Sequence, residues 1–168
     1  SGKVEVLGGN PAVGKAVAQH KSLGYLPENV ALYEAMTGRE VLAFFARLKG
    51  VSDAECEHLL DIVGLADAAK RRVGTYSKGM RQRLGLAQAI LGTPKLLFLD
   101  EPTTGLDPLV RRDFYQIISD LRSSGTTVVI SSHALNEIEA QADRIAVIKH
   151  GRLVACGSLP DLSRQAGD

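Results

Sequence analysis

The 168 residues read as an α/β fold, a mainly parallel sheet flanked by helices with an α-helical subdomain inserted into it. Three observations predict this. Leu96-Leu97-Phe98-Leu99 is an unbroken apolar run between Pro94 and Pro102, the pattern of a strand buried on both faces in a parallel sheet covered by helices. Thr126-Thr127-Val128-Val129-Ile130 is a second buried strand, reached through a helical pattern that runs from Leu109 to Leu121 and stops at Gly125. Between residues 34 and 92 the apolar positions recur at helical spacing behind capping signals, as an inserted helical subdomain requires.

The elements follow in chain order. Residues 1–9 alternate apolar and polar between glycines and read as a short strand. Gly9-Asn10-Pro11-Ala12-Val13-Gly14-Lys15-Ala16 approaches the phosphate-loop pattern GxxxxGK[ST], but Ala16 lacks the hydroxyl that would ligand magnesium, and no buried strand leads in. A surface turn is expected there. Leu23-Gly24-Tyr25-Leu26 is a strand ended by Pro27, which delivers Glu28 into a loop. Thr37-Gly38-Arg39-Glu40 has capping-box spacing ahead of a helix over 41–49. Ser52-Asp53-Ala54-Glu55 repeats that spacing ahead of a helix over 56–63, and Gly50 and Gly64 stop the two. A third, short helix ends in Lys70-Arg71-Arg72, read as a solvated face. Beyond the second buried strand come a helix over 136–142, strands over 144–149 and 152–155 joined at His150-Gly151, and an amphipathic stretch from Leu159. These last strands are expected to extend the sheet edge. The resulting organisation is 1–33 as the first part of the core, 34–92 as the helical subdomain and 93–168 as the rest of the core.

Composition excludes several classes of function. A formal net charge of +1 offers no electrostatic case for nucleic acid or another polyanion. Cys56 and Cys156 stand far apart with no CxxC spacing, which argues against a metal cluster and fits a reducing compartment. No apolar run approaches the roughly 18 residues of a membrane span. A membrane role would therefore pass through a partner.

Two places carry chemistry. Asp100-Glu101 stands at the carboxyl end of the apolar strand, where open α/β sheets hold ligands, and a paired acid there calls for a metal or a proton-transfer task. His133 lies just past the second buried strand, whose tip is expected beside the acid pair. Ser77 is placed to cap the helix that carries Leu84, Ala87, Ile90 and Leu91, with Lys78 and Gly79 in its first turn. Free N–H groups, a hydroxyl and a cation then converge as an anion site. Asp107 reads as the cap of the next helix, with Pro108 at its first position.

In this order and spacing the residues resemble a family. Tyr76-Ser77-Lys78-Gly79-Met80-Arg81-Gln82-Arg83 resembles the signature motif of ABC-transporter ATPases, 96–101 their Walker B strand, Gly105-Leu106-Asp107 their D-loop, and His133 their switch histidine. The resemblance runs from Ser1 to about Leu162. Residues 23–33 and the signature look most like bacterial exporter ATPases, notably the subunit serving copper delivery to nitrous-oxide reductase. It implies a P-loop NTPase-like core, with ATP and Mg2+ as cofactors. Asp100 and Glu28 are implied as metal contacts, Glu28 standing where the family has its Q-loop glutamine. Glu101 is implied as the general base and His133 as the γ-phosphate sensor. Ser77, Lys78, Gly79, Met80, Gln82, Asp107 and Glu28 are implied as nucleotide contacts.

The resemblance also implies two partners: a second ATPase subunit in a head-to-tail dimer, and an integral membrane permease that contacts residues 28–37. Nucleic acid is not among them. The location implied is cytoplasmic, at the inner face of the cell membrane through the permease. A soluble ABC-type ATPase and a non-catalytic regulatory module are the alternatives. Residues 1–8 resemble the strand that follows the family's phosphate loop, so the Walker A segment is expected to be missing and the chain to be a fragment that is inactive alone. Loss of a strand beside 96–99 is expected to expose an apolar edge prone to aggregation.

Overall fold

In the computed structural model the described residues are 2–11, 21–134, 138 and 141–166, with 165 and 166 described by backbone alone. They form two compact units, residues 1–131 and 132–168. The first unit contains β1 (Leu23–Leu26), α1 (Gly38–Lys49), α2 (Asp53–Ile62), α3 (Lys78–Ile90), β2 (Leu96–Asp100), α4 (Pro108–Ser123) and β3 (Thr127–Ser131). The second contains β4 (Ile145–Lys149), β5 (Arg152–Gly157) and α5 (Leu159–Ala166).

The sheet of the first unit is parallel, in the order β1-β2-β3. Leu26 stands opposite Leu99, Leu99 opposite Ile130 and Asp100 opposite Ser131, so three carboxyl ends open on one side. The expected lost neighbour of 96–99 is therefore corrected, because β2 is central and hydrogen-bonded on both flanks. Burial on both faces is corrected too. Leu97 and Leu99 are buried while Leu96 and Phe98 are half-buried, and β3 alternates between exposed and half-buried, with Val129 46% exposed. Among the described residues the helices cover one face, so the strands take the period-two exposure of a half-covered sheet.

Packing on the covered face depends on missing side chains. A Cβ on Gly24 would fall 2.3 Å from the Ala89 carbonyl oxygen, and one on Gly85 would fall 2.8 Å from Leu26 Cδ1. These two glycines let α3 lie directly against β1. Lys49, at the last turn of α1, donates to the carbonyls of Leu91 at 3.0 Å, Leu23 at 3.4 Å and Ala89 at 3.5 Å. One ammonium thus satisfies the end of α3 and the start of β1, and its burial pushes its pKa down. A single apolar core joins the helical subdomain to the sheet, from Leu26, Leu42 and Leu60 through Leu84 and Leu97 to Phe114.

The expected capping box of α1 forms. Thr37 Oγ1 accepts from Glu40 N at 3.3 Å, and Glu40 Oε2 accepts from Thr37 N at 2.8 Å. The one expected at α2 does not: Ser52 caps Ala54 N at 3.3 Å, while Glu55 Oε1 instead accepts from Gly92 N at 2.7 Å, tying α2 to the turn after α3. The third short helix is replaced by two 3-10 turns, Ala66–Ala68 and Val73–Thr75. Arg71 lies between them, donates to Thr75 O at 3.2 Å and stands over the buried Tyr76 ring, so that basic run is more than a solvated face.

Residues 2–9 do not form one strand. Val6 and Gly9 exchange two backbone hydrogen bonds, of 2.8 and 3.0 Å, around Leu7 and Gly8, both in the left-handed region at φ 50° and 76°. That geometry is a two-residue hairpin turn, which breaks the alternation in the middle. The phosphate-loop-like stretch lies mostly outside the described residues, as does most of the helix expected over 136–142. In the second unit β4 and β5 pair antiparallel as a two-stranded sheet of their own and do not extend the parallel one. Ser158 Oγ donates to Asp161 Oδ2 at 2.5 Å at the start of α5, and that bond holds the Asp161 carboxyl below its ordinary range.

Candidate functional site

The site is built where the carboxyl ends of β1, β2 and β3 converge. Ser131 Oγ donates to Asp100 Oδ1 at 2.6 Å, a bond made possible because parallel register puts the two residues opposite each other. Glu101 N donates to the same Oγ at 3.1 Å and to the Ser131 carbonyl at 3.2 Å. Strand pairing therefore continues one residue past β2 while the chain turns away. Glu101 itself adopts φ 45°, a left-handed conformation that costs a non-glycine residue about 1–2 kcal/mol. Surrounding contacts hold it there: Thr104 N donates to Glu101 O and Thr104 Oγ1 to Glu101 Oε2, both at 3.2 Å. A strained acid at a strand tip, over-determined by its neighbours, is a pattern found at functional sites.

Beside the acids a cleft of about 350 Å³ opens on the uncovered sheet face, lined by Tyr25, Phe98, Leu99, Asp100, Val129 and Ser131. Asp100 is exposed, and the Ser131 bond occupies one of its oxygens. Among the described residues there is no group of three or more His, Cys, Asp or Glu that could hold a metal ion. This donor set fits Mg2+, which is bound through one or two carboxylates together with substrate phosphates and water.

The expected N-cap of α3 forms. Ser77 adopts extended backbone, and its Oγ accepts from Met80 N at 3.2 Å. Ser77 and Lys78 are exposed, Gly79 and Met80 half-buried, and Gln82 is buried with 5% of its surface accessible. Lys78 lies along Gly105, so the α3 start and the 103–107 loop touch. Asp107 Oδ1 accepts from Val110 N at 3.1 Å and caps α4, with Pro108 in its first turn. Glu28 is exposed, two residues past β1, and leaves the sheet at the same end as Asp100. His133 is exposed and belongs to the second unit.

Sequence reading missed Ser131, since a serine at a strand tip is common and only the register reveals its partner. It also missed a partly exposed aromatic patch. Tyr33 and Phe44, 55% and 37% exposed, meet edge to face at 5.6 Å, and Phe44 meets Phe45 at 5.3 Å.

Residues 1–104 match the family model described as ABC transporter. An uncharacterized ABC transporter ATP-binding protein of Nostoc sp. is 45% identical over 168 residues, covering 96% of this chain and 50% of that protein. The linearmycin resistance ATP-binding protein of Bacillus subtilis is 36% identical over 174 residues, covering 100% of this chain and 55% of that protein. The daunorubicin/doxorubicin resistance ATP-binding protein of Streptomyces peucetius is 47% identical over 138 residues, 80% of this chain and 42% of that protein. The chain thus spans about half the length of these curated relatives. A solved ATP-binding subunit of an ABC transporter superposes with a TM-score of 0.89 at 32% identity, covering 99% of this chain and 71% of that one. The chain belongs to the ABC transporter family, with the fold of its ATP-binding domain.

Proposed function

We propose that this segment supplies the hydrolytic acids and the signature helix of an ATP-hydrolysing subunit that drives an ABC exporter. The observation that carries the reading is the Asp100-Glu101 pair at the tip of the central parallel strand, one acid clasped by Ser131 and the other turned by a left-handed backbone. Asp100, with Glu28, would hold Mg2+; the ion, when bound with ATP, neutralises charge on the β- and γ-phosphates. Glu101 orients and deprotonates the attacking water, and His133 donates to the γ-phosphate and registers its loss.

Ser77, Lys78 and Gly79 meet the γ-phosphate of ATP held by a second subunit, so each catalytic site is shared in a head-to-tail dimer. Asp107, Met80 and Gln82 complete that side. The permease docks on residues 28–37 at the inner membrane face, a reading supported by the partly exposed Tyr33 and Phe44 beside it. Export is favoured by the relatives named for linearmycin and daunorubicin/doxorubicin resistance. Neither name bears on copper.

The test is Glu101→Gln in the full-length protein. A positioned base contributes roughly 100- to 10,000-fold, which corresponds to about 3–5 kcal/mol of barrier. The expected outcome is a kcat lowered within that range with nucleotide binding retained. Hydrolysis at the original rate would overturn the assignment.

A further inference from the structure

A second cleft, of about 310 Å³, lies at the other end of the first unit's sheet. Thr93 and Ser124 line it, each three residues before a strand, β2 and β3 respectively, so the length of those strands separates it from Asp100 and Glu101. Its walls are apolar: Leu59 and Ile62 of α2, Ile90 of α3, and Ile117 and Leu121 of α4. All three helices reach it with their last turn, and the carboxyl end of a helix carries partial negative charge. Gly92 and Thr93, at φ 72° and 49°, turn the chain out of α3, and Glu55 Oε1 accepts from Gly92 N at 2.7 Å, fixing α2 against that turn. Two carboxylates from different helices complete the lining. They are Glu55 and Asp120, whose Oδ1 accepts from Gln116 Nε2 at 3.0 Å. Among the described residues the lining holds no Lys or Arg, and His58 is its only other titratable side chain.

We propose that this cleft binds a small organic cation, its ammonium beside Glu55 and Asp120 and its apolar body against Leu59, Ile62, Ile90 and Ile117. Size fits that class. Ligand pockets span roughly 300–1,000 Å³ and a cavity of about 150 Å³ takes a benzene, so this one has room for a ring and a short alkyl arm. Charge sets the sign of the ligand. Two carboxylates and three helix carboxyl ends favour a cation, and in a cleft with apolar walls each such attraction is stronger than in open water. A protein partner is the poorer fit. Of the apolar lining residues only Ile62, at 41%, counts among the exposed large hydrophobics, whereas a stable protein interface takes about 800 Å² from each partner.

The test titrates phenylbutylamine into the full-length protein, followed by ligand-observed NMR. Binding is expected at roughly millimolar concentration, as so small a ligand dictates, and phenylbutyrate, the same body with the opposite charge, is expected to bind about tenfold more weakly. The double variant Glu55→Gln, Asp120→Asn keeps the acceptors for Gly92 N and Gln116 Nε2. It should weaken the amine about fivefold while leaving the neutral phenylbutanol unchanged. Ile62→Trp, at an exposed position, fills the cleft and should abolish binding of amine and alcohol alike. Amine and carboxylate binding equally well, no amine binding at about 10 mM, or wild-type amine binding in either variant would overturn the proposal. A melt matching wild type shows that a variant is folded; should Ile62→Trp not fold, the double variant decides alone.

Discussion

Replacing Ser131 by Ala removes a hydroxyl that has two tasks at the strand tips. It donates to Asp100 Oδ1 at 2.6 Å and accepts from Glu101 N at 3.1 Å. The second loss is cushioned, because the Ser131 carbonyl still accepts from Glu101 N at 3.2 Å. The first is not. A hydrogen bond to an ionised group contributes about 1.5–3 kcal/mol, and because Ser131 and Asp100 are both exposed, water recovers part of it and the low end applies. About 1.5 kcal/mol of lost positioning corresponds to roughly tenfold in rate. In the full-length protein Ser131→Ala should therefore lower kcat about tenfold and raise the Mg2+ concentration for half-activity, while Ser131→Thr, which keeps the hydroxyl, stays near wild type. Wild-type kcat and an unchanged Mg2+ midpoint in the Ala variant would refute the claim that this hydroxyl orients the metal-binding acid.

Three further outcomes follow from the geometry. Gly24→Ala would drive a methyl to 2.3 Å from the Ala89 backbone oxygen, which cannot rotate away, so a loss of about 1–3 kcal/mol is expected by denaturant titration; an unchanged midpoint would show that α3 does not press on β1. Glu40 is held below the ordinary glutamate range by the Thr37 backbone and side-chain bonds, so its contribution is complete above that range and lost as pH falls through its lowered pKa. Glu40→Gln should accordingly destabilise the protein at neutral pH and converge with wild type in strong acid, and a gap independent of pH would count against the capping box. Lys49 has the same sense from a different cause: burial lowers its pKa, the unfolded chain binds the extra proton, and stability rises with pH between that lowered pKa and the ordinary lysine range. Comparison with Lys49→Met across that range should show the gain only in wild type.

The legible parts of the fold were those governed by local chemistry. Thr37, Ser77 and Asp107 cap their helices as their spacing required, because an N-cap bond needs only residues two or three apart. The parallel pairing of β2 with β3 followed from an intervening helix. What escaped was set by distant partners. The 52–55 stretch has the same spacing as 37–40, yet Glu55 goes to Gly92, a choice no local window contains. The apolar run at 96–99 is as hydrophobic as a doubly covered strand, and only the placement of neighbouring elements shows that Phe98 is half exposed. Asp100, Glu101 and Ser77 were identifiable as candidates from residue type and position. The role of Ser131 depends on strand register, which leaves no mark in the order of residues.

Complementation between two inactive full-length variants tests the shared site most directly. In a head-to-tail dimer, a subunit with Glu101→Gln paired with one carrying Ser77→Arg leaves both lesions in one composite site and restores the other intact. Mixing the two should recover roughly a quarter of wild-type hydrolysis, since about half the dimers are mixed and each then has one working site of two. Recovery near that level is the predicted result. A mixture as inactive as either variant alone, with mixed dimers shown to form, would contradict the account.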